Sequence, residues 1–312
     1  MKKKELHGSP TLITTKFDRK GNLNGFECID GMFMEYKKIM EKFDFDYLIK
    51  LDSDCVINCS NLCNFIKYRK NINNIIMIER KLLLGDEAIA LGAIHAGISG
   101  VYAYPGTPST EITEYIQGNA TEVRSRWCTN EKTAMEAALG MSYAGKRALV
   151  CMKHVGMNVA ADAFVNSGIT GVNGGLVVLA ADDPSMHSSQ NEQDSRFYGK
   201  FAMIPILEPS SQQEAYDMMP YAFSLSEELR LPVLMRVVTR LAHSRAGVEI
   251  TTPLPQNELN PDSERTHWVL LPGNARRQYA SLVAKQPQLL SSSEESPYNR
   301  VLATEGAKIG VV

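Results

Sequence analysis

Residues 81–236 predict an α/β fold built on a doubly wound parallel sheet. Two observations carry this expectation. Short apolar runs alternate with segments of helical periodicity, the pattern of a parallel sheet covered on both faces. Residues able to do chemistry also cluster just after the apolar runs, where open α/β sheets collect their ligands.

The elements follow in chain order. Gly85-Asp86 opens a helix to Gly97, with Ala88, Leu91, Gly92 and Ile94 inward, and Val101–Tyr104 reads as a strand. Pro105-Gly106-Thr107-Pro108-Ser109 is a turn, with Ser109 placed to cap the next helix. Glu122–Trp127 is a second strand, and a helix from Glu131 runs to about Gly145. Arg147–Met152 is a third, and a helix begins after Lys153-His154-Val155-Gly156. Gly174–Ala181 is a fourth strand and ends at Asp182-Asp183-Pro184. A polar stretch precedes a helix from Ser211 to about Leu229, and Leu231–Arg236 closes the set. Thr107, Glu131, Lys153, His154, Asp182 and Asp183 all follow strand ends, so this topology gathers them along one edge.

Glu131 is the leading candidate among them. Asn130 can cap its helix, and a carboxylate in the first turn suits the helix dipole. Ala134, Met135, Ala137, Ala138, Leu139, Met141 and Ala144 along the same helix offer little to solvate a charge. In such surroundings the protonated form of a carboxyl is favoured, which suits a group that relays a proton. Glu136, five residues on, falls on a different helix face.

Composition narrows the remaining possibilities. Apolar content of 44% and charged content of 22% are those of a soluble globular protein. A net charge of −2 gives no reason to expect nucleic acid or membrane partners. The Met1-Lys2-Lys3-Lys4 start lacks the apolar run of a signal peptide, and six scattered cysteines suggest no disulfide framework, so the expected setting is cytoplasmic. Cys55, Cys59 and Cys63 share a face if their segment is helical, but they lack the tighter C-x-x-C spacing of metal and cluster sites, and no metal ligand set is read. Neither G-x-G-x-x-G nor a Gly-Lys-Ser/Thr phosphate loop is present.

The chain changes character near residue 77. The first 80 residues hold no alanine and one valine, whereas the remaining 232 hold 26 alanines. Net charge shifts from +3 (14 basic, 11 acidic) before residue 81 to −5 (19 basic, 24 acidic) after it. Residues 1–76 and 77–312 are therefore expected to differ in origin. In the first part, Tyr47–Leu51 reads as a strand followed by Asp52-Ser53-Asp54. Two carboxylates so spaced can share a divalent cation on a nucleotide diphosphate. They resemble the D-x-D element of A-fold glycosyltransferases, which makes a glycosyltransferase remnant the alternative enzyme reading.

Four longer motifs carry a more specific resemblance: Tyr104–Ser109, Asn130–Lys132, Met152–Asp162 and Ala181–Asp194. In this order they resemble the alpha subunits of the indolepyruvate ferredoxin oxidoreductases, from Lys81 to about Val248. A weaker likeness continues through Trp268–Arg277 and Ser296–Arg300. The expected division is thus residues 1–76 as a fragment of other origin, 77–250 as a pyrimidine-binding domain, and 251–312 as a linker and the start of a second α/β domain.

The resembled family uses thiamine diphosphate to decarboxylate 2-oxo acids oxidatively, with coenzyme A and ferredoxin as co-substrates and a beta subunit as partner. The resemblance implies that Glu131 hydrogen-bonds N1′ of the aminopyrimidine, that Pro105 and Gly106 line the cofactor, and that Thr107, Lys153 and His154 face the substrate. Lys153 and His154 are the expected stabilisers of a carboxylate or oxyanion, with helix capping the bland alternative for His154. The Asp182–Arg196 loop is too long and polar to be a plain connector. Magnesium held by Gly-Asp-Gly and a later asparagine, and 4Fe-4S clusters held by a C-x-x-C-x-x-C run, belong to family parts that residues 1–312 do not contain. The chain alone is accordingly expected to be inactive, and a purely structural assembly role is the non-enzymatic alternative.

Overall fold

The computed structural model describes residues 79–300, together with Leu12–Thr14, Val56–Asn58 and Gly306. The chain divides into two compact units, Met1–Met77 and Ile78–Val312. In the first, β1 (Leu12–Thr14) pairs antiparallel with β2 (Val56–Asn58), Ile13 opposite Ile57. An extended Val56–Asn58 interrupts the helix that would have aligned Cys55, Cys59 and Cys63. The strand expected at 47–51, Asp52 and Asp54 lie outside the described residues.

The second unit opens with β3 (Glu79–Leu84) and continues through α1 (Gly85–His95), β4 (Gly100–Ala103), α2 (Thr110–Asn119), β5 (Arg124–Trp127) and α3 (Glu131–Tyr143). Next come β6 (Ala148–Lys153), α4 (His154–Thr170), β7 (Leu176–Asp182), α5 (Arg196–Ala202), β8 (Ile206–Leu207) and α6 (Gln212–Leu229). β9 (Val233–Val238), α7 (Thr239–Ala242) and β10 (Arg245–Ile250) complete the α/β body. The main sheet has six parallel strands in the order β5-β4-β6-β7-β9-β8. Strands β6, β7 and β9 are almost wholly buried and rich in Val, Leu, Ala and Met, as strands covered on both faces must be.

Strand residues divide between two cores by alternation. Leu149, Cys151, Val177 and Leu179 point into one core, with Ile89, Ile112, Tyr216 and Phe223 from α1, α2 and α6. Val150, Met152, Val178 and Ala180 point into the other, with Met135, Ala138, Met157 and Phe164 from α3 and α4. A period of two therefore sends alternate side chains of one strand into opposite layers. This is the doubly wound arrangement expected from the sequence.

Three parts lay outside that expectation. β3 pairs antiparallel with β10 in a separate two-stranded sheet, Leu84 opposite Arg245. The polar stretch before α6 holds the short helix α5 and the edge strand β8. Beyond β10, the chain runs along the amino edge of the main sheet, where the Leu254 amide reaches His95 O at 2.7 Å and the Asn260 amide reaches Ala144 O at 2.9 Å. Trp268 then stacks on Tyr143 with ring centroids 4.1 Å apart. Helices α8 (Pro272–Ala284) and α9 (Gln286–Glu294) follow, and Leu282 of α8 is buried in the first core.

Candidate active site at the carboxyl edge of the sheet

From β4 the chain first passes through α2 to β5 on one side, then through α3 to β6 on the other. Neighbouring connections diverge between β4 and β6, which opens a crevice beyond their carboxyl ends. The turn after β4, the start of α3 and the start of α4 meet there.

The Tyr104–Ser109 turn is fixed from within. The Gly106 amide donates to Thr110 Oγ1 at 2.8 Å, while Gly106 O accepts the Ser109 amide at 2.9 Å and Ser109 Oγ at 2.8 Å. The Ser109 hydroxyl thus closes the turn and makes no capping bond to α2, contrary to expectation. A β-carbon on Gly106 would fall 3.2 Å from Lys153 Cβ, so the turn lies directly against the end of β6. Thr107 is exposed at its tip.

Asn130 caps α3 as expected, its Oδ1 accepting the Thr133 amide at 2.9 Å. Glu131, the first residue of α3, is half-buried rather than enclosed. Its carboxylate lies against Gly156 in the first turn of α4: a β-carbon there would fall 2.6 Å from Glu131 Oε1 and 2.9 Å from its carboxyl carbon. The missing side chain at 156 makes the room that the carboxylate occupies. Helix α4 has no acidic residue in its own first turn, and Glu131 is the carboxylate brought against it. Among the described residues, no hydrogen bond satisfies that carboxylate, which leaves it available to a ligand. Its neighbour Lys132 turns away to Asp162 at 2.9 Å, and Glu136 is exposed.

The segment after β7 covers the end of β6. Lys153 Nζ donates to Ser188 O at 2.8 Å, and His154 Nε2 lies 3.1 Å from Asn191 O. A carbonyl partner requires the proton on Nε2, and the buried Nδ1 has no partner among the described residues. His154 has no exposed surface, so it orders the segment instead of meeting a ligand from solvent, and it gives α4 no side-chain cap.

Two buried aspartates anchor the loop. Asp182 accepts from Arg236 Nε at 2.6 Å and from the Ser195 amide at 3.1 Å, and Arg236 also pairs with Glu208. Asp183 accepts from Ser189 Oγ at 2.6 Å, Thr239 Oγ1 at 2.7 Å and the Ser188 amide at 2.8 Å. Burial pushes the Asp183 carboxyl up, but these donors outweigh it and hold the group well below the usual carboxylate range. Ser185 and Met186 both adopt left-handed backbone, with φ of 67° and 55°. For residues with a β-carbon this costs about 1 kcal/mol or more each, and such strain gathers at ligand clamps.

Glu131, Gly106, Thr107 and Lys153 thus share one edge, with His154 behind them. Gly156, unassigned in the sequence, leaves the space in which the Glu131 carboxylate lies. Its place two residues into a helix, where glycine is costly, was the available signal.

The same region is shared with known proteins. A family model described as the pyruvate flavodoxin/ferredoxin oxidoreductase thiamine diphosphate-binding domain matches residues 91–288. Indolepyruvate oxidoreductase subunit IorA of Thermococcus kodakarensis is 44% identical over 244 residues, covering 75% of this chain and 37% of that protein. Its counterpart in Archaeoglobus fulgidus is 44% identical over 247 residues, 75% of this chain and 39% of that one. More distantly, 2-oxoglutarate synthase subunit KorA of Methanothermobacter thermautotrophicus is 29% identical over 186 residues, 56% of this chain and 48% of that protein.

Among solved structures, the 2-oxoglutarate:ferredoxin oxidoreductase of Magnetococcus marinus shares the fold, with a TM-score of 0.59 at 18% identity over 90% of this chain and 57% of that one. The chain spans only 37–39% of the length of these IorA relatives. Nothing among them supports a glycosyltransferase. The family model covers α4, which carries Gly156, and α3, which carries Glu131, together with the strands that position them; this chain belongs to the pyruvate flavodoxin/ferredoxin oxidoreductase thiamine diphosphate-binding family.

Proposed function

We propose that this chain supplies the aminopyrimidine-gripping half of a thiamine diphosphate site in an indolepyruvate-type 2-oxo acid:ferredoxin oxidoreductase. The observation that carries the reading is the Glu131 carboxylate, presented at the β4–β6 crevice against Gly156 and left without a protein partner among the described residues. When bound, thiamine diphosphate supplies the nucleophilic carbon and electron sink for decarboxylation. The protein supplies orientation and electrostatics.

Glu131 holds a proton at the pyrimidine N1′. Pro105 and Gly106 present backbone close to the end of β6, where a β-carbon on Gly106 would crowd Lys153 Cβ at 3.2 Å. Thr107 faces the substrate from the turn, and the Lys153 ammonium favours the carboxylate of an incoming 2-oxo acid. His154 holds the 183–195 segment over this edge and limits the access of water.

The reaction and partners rest on the relatives' names and on the resemblance. The substrate class is aryl pyruvates, with coenzyme A as acyl acceptor, ferredoxin as electron acceptor and a second subunit in the complex. Residues 1–312 contain neither Gly-Asp-Gly nor any C-x-x-C pair, so magnesium and 4Fe-4S ligands are assigned to the relatives' other parts. The setting is assigned to the cytoplasm, and no described helix is long and apolar enough to cross a membrane.

The test is Glu131→Gln in the chain extended to its relatives' length. Glutamine keeps the shape but loses the exchangeable proton. Indolepyruvate-dependent dye reduction is expected to fall at least 100-fold, about 2.7 kcal/mol in transition-state stabilisation. Retention of more than a tenth of turnover would falsify the assignment.

A further inference from the structure

On the opposite face of the sheet from Glu131, three ligating side chains far apart in sequence converge at the same carboxyl edge. Asp86 lies in the first turn of α1, Glu111 in the first turn of α2, and His243 immediately after α7. One ligating atom from each lies within 4.8 Å of the other two. His243 Nε2 is 3.6 Å from Glu111 Oε1 and 3.9 Å from Asp86 Oδ2.

The Asp86 carboxyl is the telling group. It has no exposed surface, and neither of its oxygens has a hydrogen-bond partner among the described residues. Glu111 Oε2 is likewise buried without a partner among those residues. A buried carboxylate left unsatisfied is costly, and proteins remove that cost by pairing it, protonating it or binding a cation. His243 approaches Asp86 only at 3.9 Å, beyond a hydrogen bond.

We propose that Asp86, Glu111 and His243 form a divalent transition-metal site that takes zinc. Two carboxylates and a neutral imidazole balance a charge of +2 without residue. One nitrogen and two oxygen donors match a three-ligand zinc site with a fourth position open to water. Zinc bonds of about 2.0–2.2 Å place tetrahedral donors roughly 3.3–3.6 Å apart. The Glu111–His243 separation of 3.6 Å already meets that limit, Asp86 needs to close on His243 by a few tenths of an ångström, and all three atoms start within 4.8 Å of one another.

His243 and Glu111 are each about one-third exposed, which gives the ion a route in and the fourth position a water. Burial, followed by the nearby Glu111 and Glu87 charges, disfavours a bare carboxylate at Asp86, a cost that a bound cation would offset. Bound there, the ion ties α1 and α7 to α2, the helix that opens just after the Thr107 turn. This inference is independent of the reading of Glu131.

The test uses the metal-stripped 312-residue chain, its Asp86→Asn and His243→Gln variants, and zinc competed against a chromophoric chelator. Wild type is expected to bind zinc with at least tenfold higher affinity than either variant, and to show a raised melting temperature on zinc addition. Asparagine is isosteric and His243 is partly exposed, so melting curves of the metal-free variants verify that both fold. Cobalt(II) reports the donors: visible ligand-field bands without thiolate charge transfer are expected, which sets this site apart from the chain's six cysteines. Zinc binding that is absent, unchanged in both variants or accompanied by a thiolate band overturns the site. Equal competition by magnesium, which disfavours imidazole, overturns the choice of ion.

Discussion

Gly156→Ala separates what holds the fold from what holds the proposed catalytic carboxylate. A β-carbon at 156 lies 2.6 Å from Glu131 Oε1, 2.7 Å from Cγ and 2.9 Å from Cδ. Ordinary contact begins near 3.4 Å, so the carboxylate must retreat by about 0.8 Å. The obstructing atoms end a flexible, half-buried side chain and include no backbone, so Glu131 yields by rotating while α4 keeps its place. Gly156 has ordinary helical backbone, and alanine in a helix is favoured over glycine by about 0.8–1.0 kcal/mol. An off-rotamer Glu131 costs a similar amount, roughly 0.5–1.5 kcal/mol.

The two contributions nearly cancel, and thermal unfolding of the purified chain is expected to shift by no more than about 1 kcal/mol in either direction. Function is expected to respond very differently. A displacement approaching 1 Å removes a hydrogen bond needed at one defined ring nitrogen, and misplacement on that scale costs about 100-fold. The assay pairs calorimetry on the chain with indolepyruvate-dependent dye reduction in the chain extended to its relatives' length. Turnover above one-tenth of wild type would refute the claim that Gly156 sets the position of Glu131. A loss of several kcal/mol in stability would refute the claim that only the side chain moves.

Two further expectations concern the frame of the site. Arg236→Met leaves the Asp182 carboxylate buried without its cation, and removal of one partner from such a pair costs about 3–5 kcal/mol; urea denaturation showing a loss under 1 kcal/mol would contradict the role given to this pair. At the amino edge, burial pushes Glu227 up, but Arg147 at 2.6 and 2.8 Å, Asn257 and the Gly175 amide outweigh it and lower its pKa. A carboxyl whose pKa is lower when folded stabilises above its unfolded value and loses that contribution as pH falls through the folded value. Wild type is therefore expected to lose more stability than Glu227→Gln between pH 6 and roughly pH 3, and parallel pH–stability curves would refute this.

The sequence made the parallel strands legible because β6, β7 and β9 are buried on both faces and read as unbroken apolar runs. β3 and β10 escaped because they form a two-stranded antiparallel pair at the periphery, with exposed Glu79, Arg80 and Leu82 breaking any simple pattern. β8 is two residues long, too short for any periodicity. Helices α8 and α9 were obscured for the opposite reason: most of their surface is exposed, and Leu282 alone is fully buried.

The site divides along a similar line. Glu131, Thr107 and Lys153 could be placed because each lies at or just beyond a strand end, and in this topology strand ends share an edge whatever the tertiary detail. The surroundings of each residue could not be placed, because neighbours on separate elements are invisible in one dimension. Alanine and methionine along α3 suggested an enclosed Glu131, yet those side chains line the inner face while residue 131 opens the helix at its rim. Asp86 shows the converse. In the sequence it marked only the start of a helix, but folding removes it completely from water and brings Glu111 and His243 beside it. Element type and edge therefore come from local pattern, whereas desolvation is decided by contacts that close only when distant segments meet, and desolvation is what turns a carboxyl into a site.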